Sequence, residues 1–196
     1  MPNHVTTNVR FEGLNETAKA RLQKLYSNVR KDQDYLWFSD MFVSKETPYE
    51  MLERRDWNID NTGAKWNYFD DMDDDQFQIT SAWDSPSEGI KRVIDELAEV
   101  CNDFLTISTY EDEFPNFIGI QIWKGNEFIE DEMISWDAIV EHAQDKFPEL
   151  DGQWDEEEGD WKTEEAQDFW QDTQWEFYYD LLDEIEQETR EQLSSV

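Results

Sequence analysis

Forty-nine acidic side chains against sixteen basic ones give this chain a formal charge of −33, and any fold it adopts must hold that charge apart. Self-repulsion on this scale opposes compaction. Folding therefore requires a large apolar payload. The chain has one: 38% of its 196 residues are apolar, with 12 Phe, 10 Trp and 7 Tyr among them. Disorder throughout, which high charge alone would suggest, is not expected. The length suits one ordinary domain, or a domain with one large appendage.

The charge is uneven. Residues 1–34 hold six bases and four acids, a net of +2, and residues 35–55 hold three and four, a net of −1. Residues 56–140 carry four bases against 21 acids, and residues 141–196 three against 20, so each of these regions stands at −17. Such a chain repels nucleic acid and anionic membranes and attracts basic partners. Duplex DNA carries one charge per ~1.7 Å of axis, so 33 charges match about 56 Å of duplex. A compact domain of this size is roughly 40 Å across. The charge per unit length is thus comparable to that of DNA.

No apolar run approaches the roughly 20 residues that span a bilayer. The start, Met1-Pro2-Asn3-His4, lacks the basic and apolar regions of a signal peptide. Cys101, the single cysteine, allows no internal disulfide. Both features lead to the expectation of a cytoplasmic protein in a bacterial host cell.

Val5, Thr7, Val9 and Phe11 alternate with polar residues and predict a strand ending at Gly13. Asn15 predicts the cap of a helix carrying Leu14, Ala18, Leu22, Leu25 and Val29. Residues 32–60 read as irregular. Strands around Trp66–Phe69 and Gln76–Trp83 flank the acidic Asp70–Asp75 segment, which predicts a hairpin. Ser85 as N-cap, Pro86 at the first helical position and Glu88 closing a capping box predict the next helix. Its apolar face is Ile90, Val93, Ile94, Leu97 and Cys101. Strands follow at Phe104–Tyr110 and Phe117–Trp123, then a short helix over Trp136–Phe147, stopped by Pro148. Residues 149–162 read as a loop, and Thr163 caps a long helix running to about Leu193. The order to Tyr110 is strand, helix, strand, strand, helix, strand. The expected fold class is α+β: a ferredoxin-like antiparallel sheet with helices on one face, plus an acidic C-terminal helical extension.

Several segments carry a family resemblance. Met1-Pro2-Asn3 is followed by Asn8, Phe11 and Gly13, and later by the run from Trp57-Asn58-Ile59-Asp60 through Asn61-Thr62-Gly63-Ala64-Lys65-Trp66. Ile79-Thr80-Ser81-Ala82-Trp83-Asp84-Ser85-Pro86 and Tyr110-Glu111-Asp112-Glu113 complete the set. Over roughly residues 1–125 the chain resembles the YubB ferredoxin-like family of plasmid and phage proteins. His4 and Val5 stand where members carry Trp and Cys, and Asn61-Thr62-Gly63-Ala64-Lys65-Trp66 alters the family's Asn-Trp-Gly-Thr-Lys-Trp. The resemblance implies the fold and a mobile-element origin, and no activity. It divides the chain into a ferredoxin-like domain over 1–125 and an acidic helical extension over 126–196, expected to pack on the same domain.

Catalytic signatures are missing. The chain has no GxGxxG, P-loop, GxSxG or HExxH, and His4, His142 and Cys101 do not make a familiar zinc site. Lys65 beside Trp66 reads as a functional pair or a structural turn. The run Asp71-Met72-Asp73-Asp74-Asp75 invites a calcium reading but fails it. Gln76 stands where an EF-hand needs glycine, and Ala82 where it needs glutamate. No cofactor and no metal are expected, with weak cation binding at this turn as the alternative. Paired carboxylates carry glycosidase chemistry, but among 49 acids pairs arise at almost any separation.

The C-terminal helix is more specific. Glu164, Asp168, Asp172, Glu176, Asp180, Glu184 and Glu188 form an unbroken i, i+4 series, each step rising ~6 Å and rotating ~40°. The middle members are expected opposite a face of Trp175, Tyr178, Leu182 and Ile185. Like charges at this spacing cost a few tenths of a kcal/mol per pair, so stability alone would have mixed in lysines. The candidate partner-binding residues are this stripe, together with Asp70, Asp71, Asp73, Asp74 and Asp75 and with Asp155, Glu156, Glu157 and Glu158. Trp154, Trp161 and Trp170 are expected as apolar anchors at the rim. These features lead to the expectation of a non-enzymatic nucleic-acid mimic. Its partner would be a basic host protein, a nucleic-acid-binding enzyme of defence or processing, and it would bind neither nucleic acid nor membrane itself. The alternatives are a protein-binding module without mimicry, an enzyme with an unfamiliar carboxylate site, and a halophilic composition with no site. Oligomeric state is not legible.

Overall fold

The computed structural model describes residues 3–32, 34–44, 46, 48, 55–113 and 116–194, with Arg55 by its backbone alone. The Met1-Pro2 start of the family resemblance lies outside these residues. The chain is α+β, built on a seven-stranded antiparallel sheet. It divides into two compact units. The first comprises residues 1–114 and 120–131, and the second residues 115–119 and 132–196. The expected boundary at residue 125 falls in the turn between two strands of the sheet.

The first unit opens with β1 (His4–Glu12) and α1 (Glu16–Tyr26), followed by the short β2 (Leu36–Trp37) and a 3-10 turn (Phe38–Phe42). Then come α2 (Arg55–Thr62), the hairpin β3 (Asn67–Met72) and β4 (Gln76–Ala82), α3 (Ser87–Ala98) and β5 (Leu105–Asp112). β6 (Phe117–Lys124) and β7 (Glu127–Ser135) complete the sheet, in the order β2-β3-β4-β1-β5-β6-β7. β1 lies between β4 and β5 and pairs antiparallel with both. Its alternation does what the sequence predicts: Val5, Thr7, Val9 and Phe11 are buried, while Asn8 and Arg10 are exposed. Val9 and Phe11 join Leu22 of α1, Ile79 of β4 and Ile90, Val93, Ile94 and Leu97 of α3 in one core.

Asn15 caps α1, its side chain accepting from the Ala18 N–H at 2.8 Å. The expected capping box at α3 does not form. The helix begins at Ser87, and its first flanking residue is Pro86, which offers no side-chain cap. Ser85 is drawn away because Asp84 Oδ1 accepts its backbone N–H at 2.8 Å and its hydroxyl accepts from Thr7 at 3.3 Å. Gly89 then lies under the Phe38 ring, where a Cβ would collide with it.

Residues 32–60 contain β2, the 3-10 turn and the start of α2, where only irregular structure was expected. β7 was also missed. Its hairpin signal is Gly125-Asn126: Gly125 has φ +58°, and a Cβ there would sit 2.8 Å from the Asn102 carbonyl oxygen.

The second unit holds α4 (Trp136–Lys146), the two-stranded β8 (Trp154–Asp155) and β9 (Asp160–Trp161), and α5 (Glu164–Ser194). The small ribbon corrects the expectation of a plain loop over 149–162. Thr163 caps α5 as expected, accepting from the Ala166 N–H at 3.2 Å.

Candidate functional site

α5 is held by one face. Ala166, Trp170, Phe177, Tyr178, Leu181 and Leu182 are buried. Trp175, expected on this face, is 42% exposed: it lies about 120° from the centre of the buried stripe at 100° per residue. All seven members of the acidic series are exposed. Asp180 accepts from Lys146 at 2.9 Å. Among the described residues the other six make no ion pair or side-chain hydrogen bond.

The 31-residue helix is ~46 Å long. It carries eleven acids and one base, Arg190, so its acids recur about every 4 Å. Duplex DNA would carry one charge per ~1.7 Å, and one strand one per ~3.4 Å. The helix therefore approaches the linear charge density of a single strand and falls well short of a duplex.

The four acids of the Asp155–Glu158 turn have unequal roles. Asp155 Oδ1 accepts the backbone N–H groups of Glu157 at 3.0 Å and Glu158 at 3.1 Å. Its carboxylate holds the turn, whereas Glu156, Glu157 and Glu158 are exposed. The expected rim anchors divide in the same way. Trp161 and Trp170 are 4% and 5% exposed and belong to the core, because each packs edge-on within an aromatic cluster. Trp154 is half-buried.

The remaining acids lie on the β3–β4 hairpin of the first unit. Asp70 accepts the Thr80 hydroxyl at 2.6 Å, and Asp74 accepts from Gln23 at 3.0 Å. Asp71 and Asp73 each accept the next residue's N–H. Tyr26 lies beside them, its hydroxyl donating to the Gln76 carbonyl. Burial, then the charges of Asp73, Asp75, Asp71 and Asp74, push its pKa far up, so it stays neutral. Among the described residues no group of three His, Cys, Asp or Glu converges to hold a metal ion.

A second surface of the first unit was missed as such. On the sheet face opposite the core, Trp66 and Tyr68 stack with planes 10° apart and centroids at 5.7 Å. His4 meets Trp66 at 5.3 Å across the small Ala82, and Tyr35 meets Tyr68 at 4.9 Å. Lys65, read as half of a functional pair or a turn, places its Nζ 4.4 Å from the Trp83 ring. Trp83 has φ +72°, a left-handed conformation costly for a bulky side chain, and is 48% exposed. The available signal was the density of aromatics in Lys65–Trp83, which pattern reading assigns to strands without a face.

No family model, curated protein or solved structure matches the chain.

Proposed function

We propose that this protein binds the basic nucleic-acid cleft of a host protein, its carboxylates standing in for phosphates, and that it performs no catalysis. The observation that carries this reading is the exposed face of α5. Among the described residues its stripe carboxylates, Asp180 apart, are uncompensated, and the eleven acids of the whole helix recur at nearly the charge spacing of one nucleic-acid strand. A solvated helix gains nothing from unbroken like charge, whereas a competitor for a phosphate track needs it. The strand order β3-β4-β1-β5, with α1 after β1 and α3 after β4, supports the ferredoxin-like reading of the first unit. That reading, with the resemblance to YubB proteins, supports a phage or plasmid setting.

The test is a pull-down from bacterial lysate at low and high salt, followed by binding of the recovered protein to a variant with Asp168, Asp172, Glu176, Asp180 and Glu184 all changed to amides. Strong weakening with retained helicity supports the mimic. Equal binding by a folded variant sinks it. One specific observation favours a second reading, a protein-binding module that uses the sheet. The ring row of exposed Tyr35 and half-buried Tyr68 and Trp66, with exposed Trp83 on the same unit, would give an interface dominated by apolar contact, and its affinity would change little with salt.

A further inference from the structure

The second unit contains a recess of about 620 Å³, within the usual size of ligand pockets. α4 supplies Trp136, Asp137, Val140 and Glu141, and the β8–β9 ribbon supplies Trp154 and Glu156. These α4 positions lie on one helix face at i, i+1, i+4 and i+5, and the tight ribbon brings Trp154 against it. The two indoles meet at 5.7 Å with planes 69° apart, so they form two walls of a corner. Trp136 is backed in turn by the buried Trp170 at 6.0 Å, which holds its ring in place.

The lining, among the described residues, carries three carboxylates and no base. Among the described residues, Asp137, Glu141 and Glu156 make no ion pair or side-chain hydrogen bond. The lysines and arginine of this unit are committed elsewhere: Lys146 to Asp180, Lys162 to the Gly152 carbonyl and Arg190 to Glu186. The unit also shows its rings accepting a cation, since Lys146 Nζ lies 5.4 Å from the Phe177 ring centroid.

We infer that this recess is an anchor site for an arginine side chain of a polypeptide partner. An anion is repelled by the three carboxylates, and an uncharged apolar ligand would leave them facing it. A metal ion is disfavoured because the acids do not converge. A guanidinium matches both elements of the lining. It is planar and weakly hydrated, it stacks on indole faces, and it forks onto carboxylates through paired N–H donors. Lysine shares the charge but neither the plane nor the fork. The inference deepens the mimic reading and rests on it for the partner's basic character, but the pocket is separate from the stripe.

The probe is a capped Gly-Ser-Gly-Arg-Gly-Ser-Gly peptide titrated into the full chain, followed through the Trp136 and Trp154 indole N–H resonances. Its controls are the lysine analogue and spermine. The titration is run at ordinary and at about 0.5 M salt, where general attraction to the acidic surface is screened within a few ångströms. The arginine peptide should shift both indoles saturably at both salts, with the lysine peptide about tenfold weaker. Glu141→Gln combined with Glu156→Gln, which preserves shape and leaves the tryptophans in place, should weaken the arginine peptide about tenfold. The five-amide stripe variant should leave these shifts unchanged. Shifts absent, or lost entirely at high salt, overturn the inference. Spermine binding as well as arginine overturns the assignment to a peptide side chain. A natural partner insensitive to the Glu141/Glu156 pair but sensitive to the stripe sinks the anchor alone, and the reverse pattern sinks the mimic alone.

Discussion

Lys146 of α4 holds Asp180 of α5 at 2.9 Å, and it neutralises one step of a carboxylate series that is otherwise exposed and unpaired among the described residues. Both side chains are substantially exposed, so the pair contributes under ~1 kcal/mol. Lys146→Gln should leave thermal stability nearly unchanged while adding one unit of negative field to α5. Association with a basic partner should speed up, most clearly at low salt. Stopped-flow association rates against ionic strength measure this, and an unchanged rate would show that α5 does not face the partner.

The buried ion pair behaves differently. Asp40 is 1% exposed and accepts both the Arg30 backbone N–H and its Nε at 2.9 Å. Asp40→Ala removes the charge partner of a guanidinium in a low-dielectric site, and the expected loss is about 3–5 kcal/mol. Urea denaturation should show it as a fall in midpoint without a change in slope. Asp75→Asn, at an exposed turn, should change stability little.

Glu111 supplies a pH prediction. Burial raises its carboxyl above the ordinary value of 4.5. Between the ordinary and the raised value the folded state holds the proton and the unfolded state does not, so stability falls as pH rises through that window. Glu111→Gln should therefore melt higher than wild type at neutral pH. The difference should shrink as pH falls below about 4.5, where the side chain is neutral in both states. A constant difference across pH would mean that the substitution acts through packing.

Gly89 is a packing prediction. A Cβ there meets the Phe38 ring, itself fully buried among Phe42, Phe69 and Phe77. Gly89→Ala should cost about 1–3 kcal/mol by overpacking, despite alanine's better helix propensity. Combining it with Phe38→Leu should recover part of the loss, because the ring is what the new methyl strikes. No recovery would place the cost elsewhere.

Salt should stabilise the wild-type fold. At −33 the long-range electrostatic term is repulsive, and about 0.1–0.5 M salt shortens its reach below the spacing of distant charges. Melting temperature should climb over that range and then level off. A fall instead would mean that ion pairs outweigh repulsion.

Local pattern and composition determined much by themselves. Charge, the period-two β1, the Asn15 and Thr163 caps and the β3–β4 hairpin are written within a few residues of where they act, through side-chain alternation and nearby backbone N–H groups. The i, i+4 acidic series is legible for the same reason: helix geometry alone places its neighbours one turn apart along a slowly winding row. Tertiary structure decided the rest. Ser85 is a sound cap by pattern, yet its hydroxyl goes to Thr7, 78 residues away in sequence. Trp161 and Trp170 look like Trp154, but the closure of β8 against β9 and the packing of α5 bury them and leave Trp154 and Trp136 lining a recess. Trp66 and Tyr68 become a stacked surface because strand pairing sets them on the sheet face away from the core. Which ring is core and which is available depends on partners distant in sequence, and no local period encodes them.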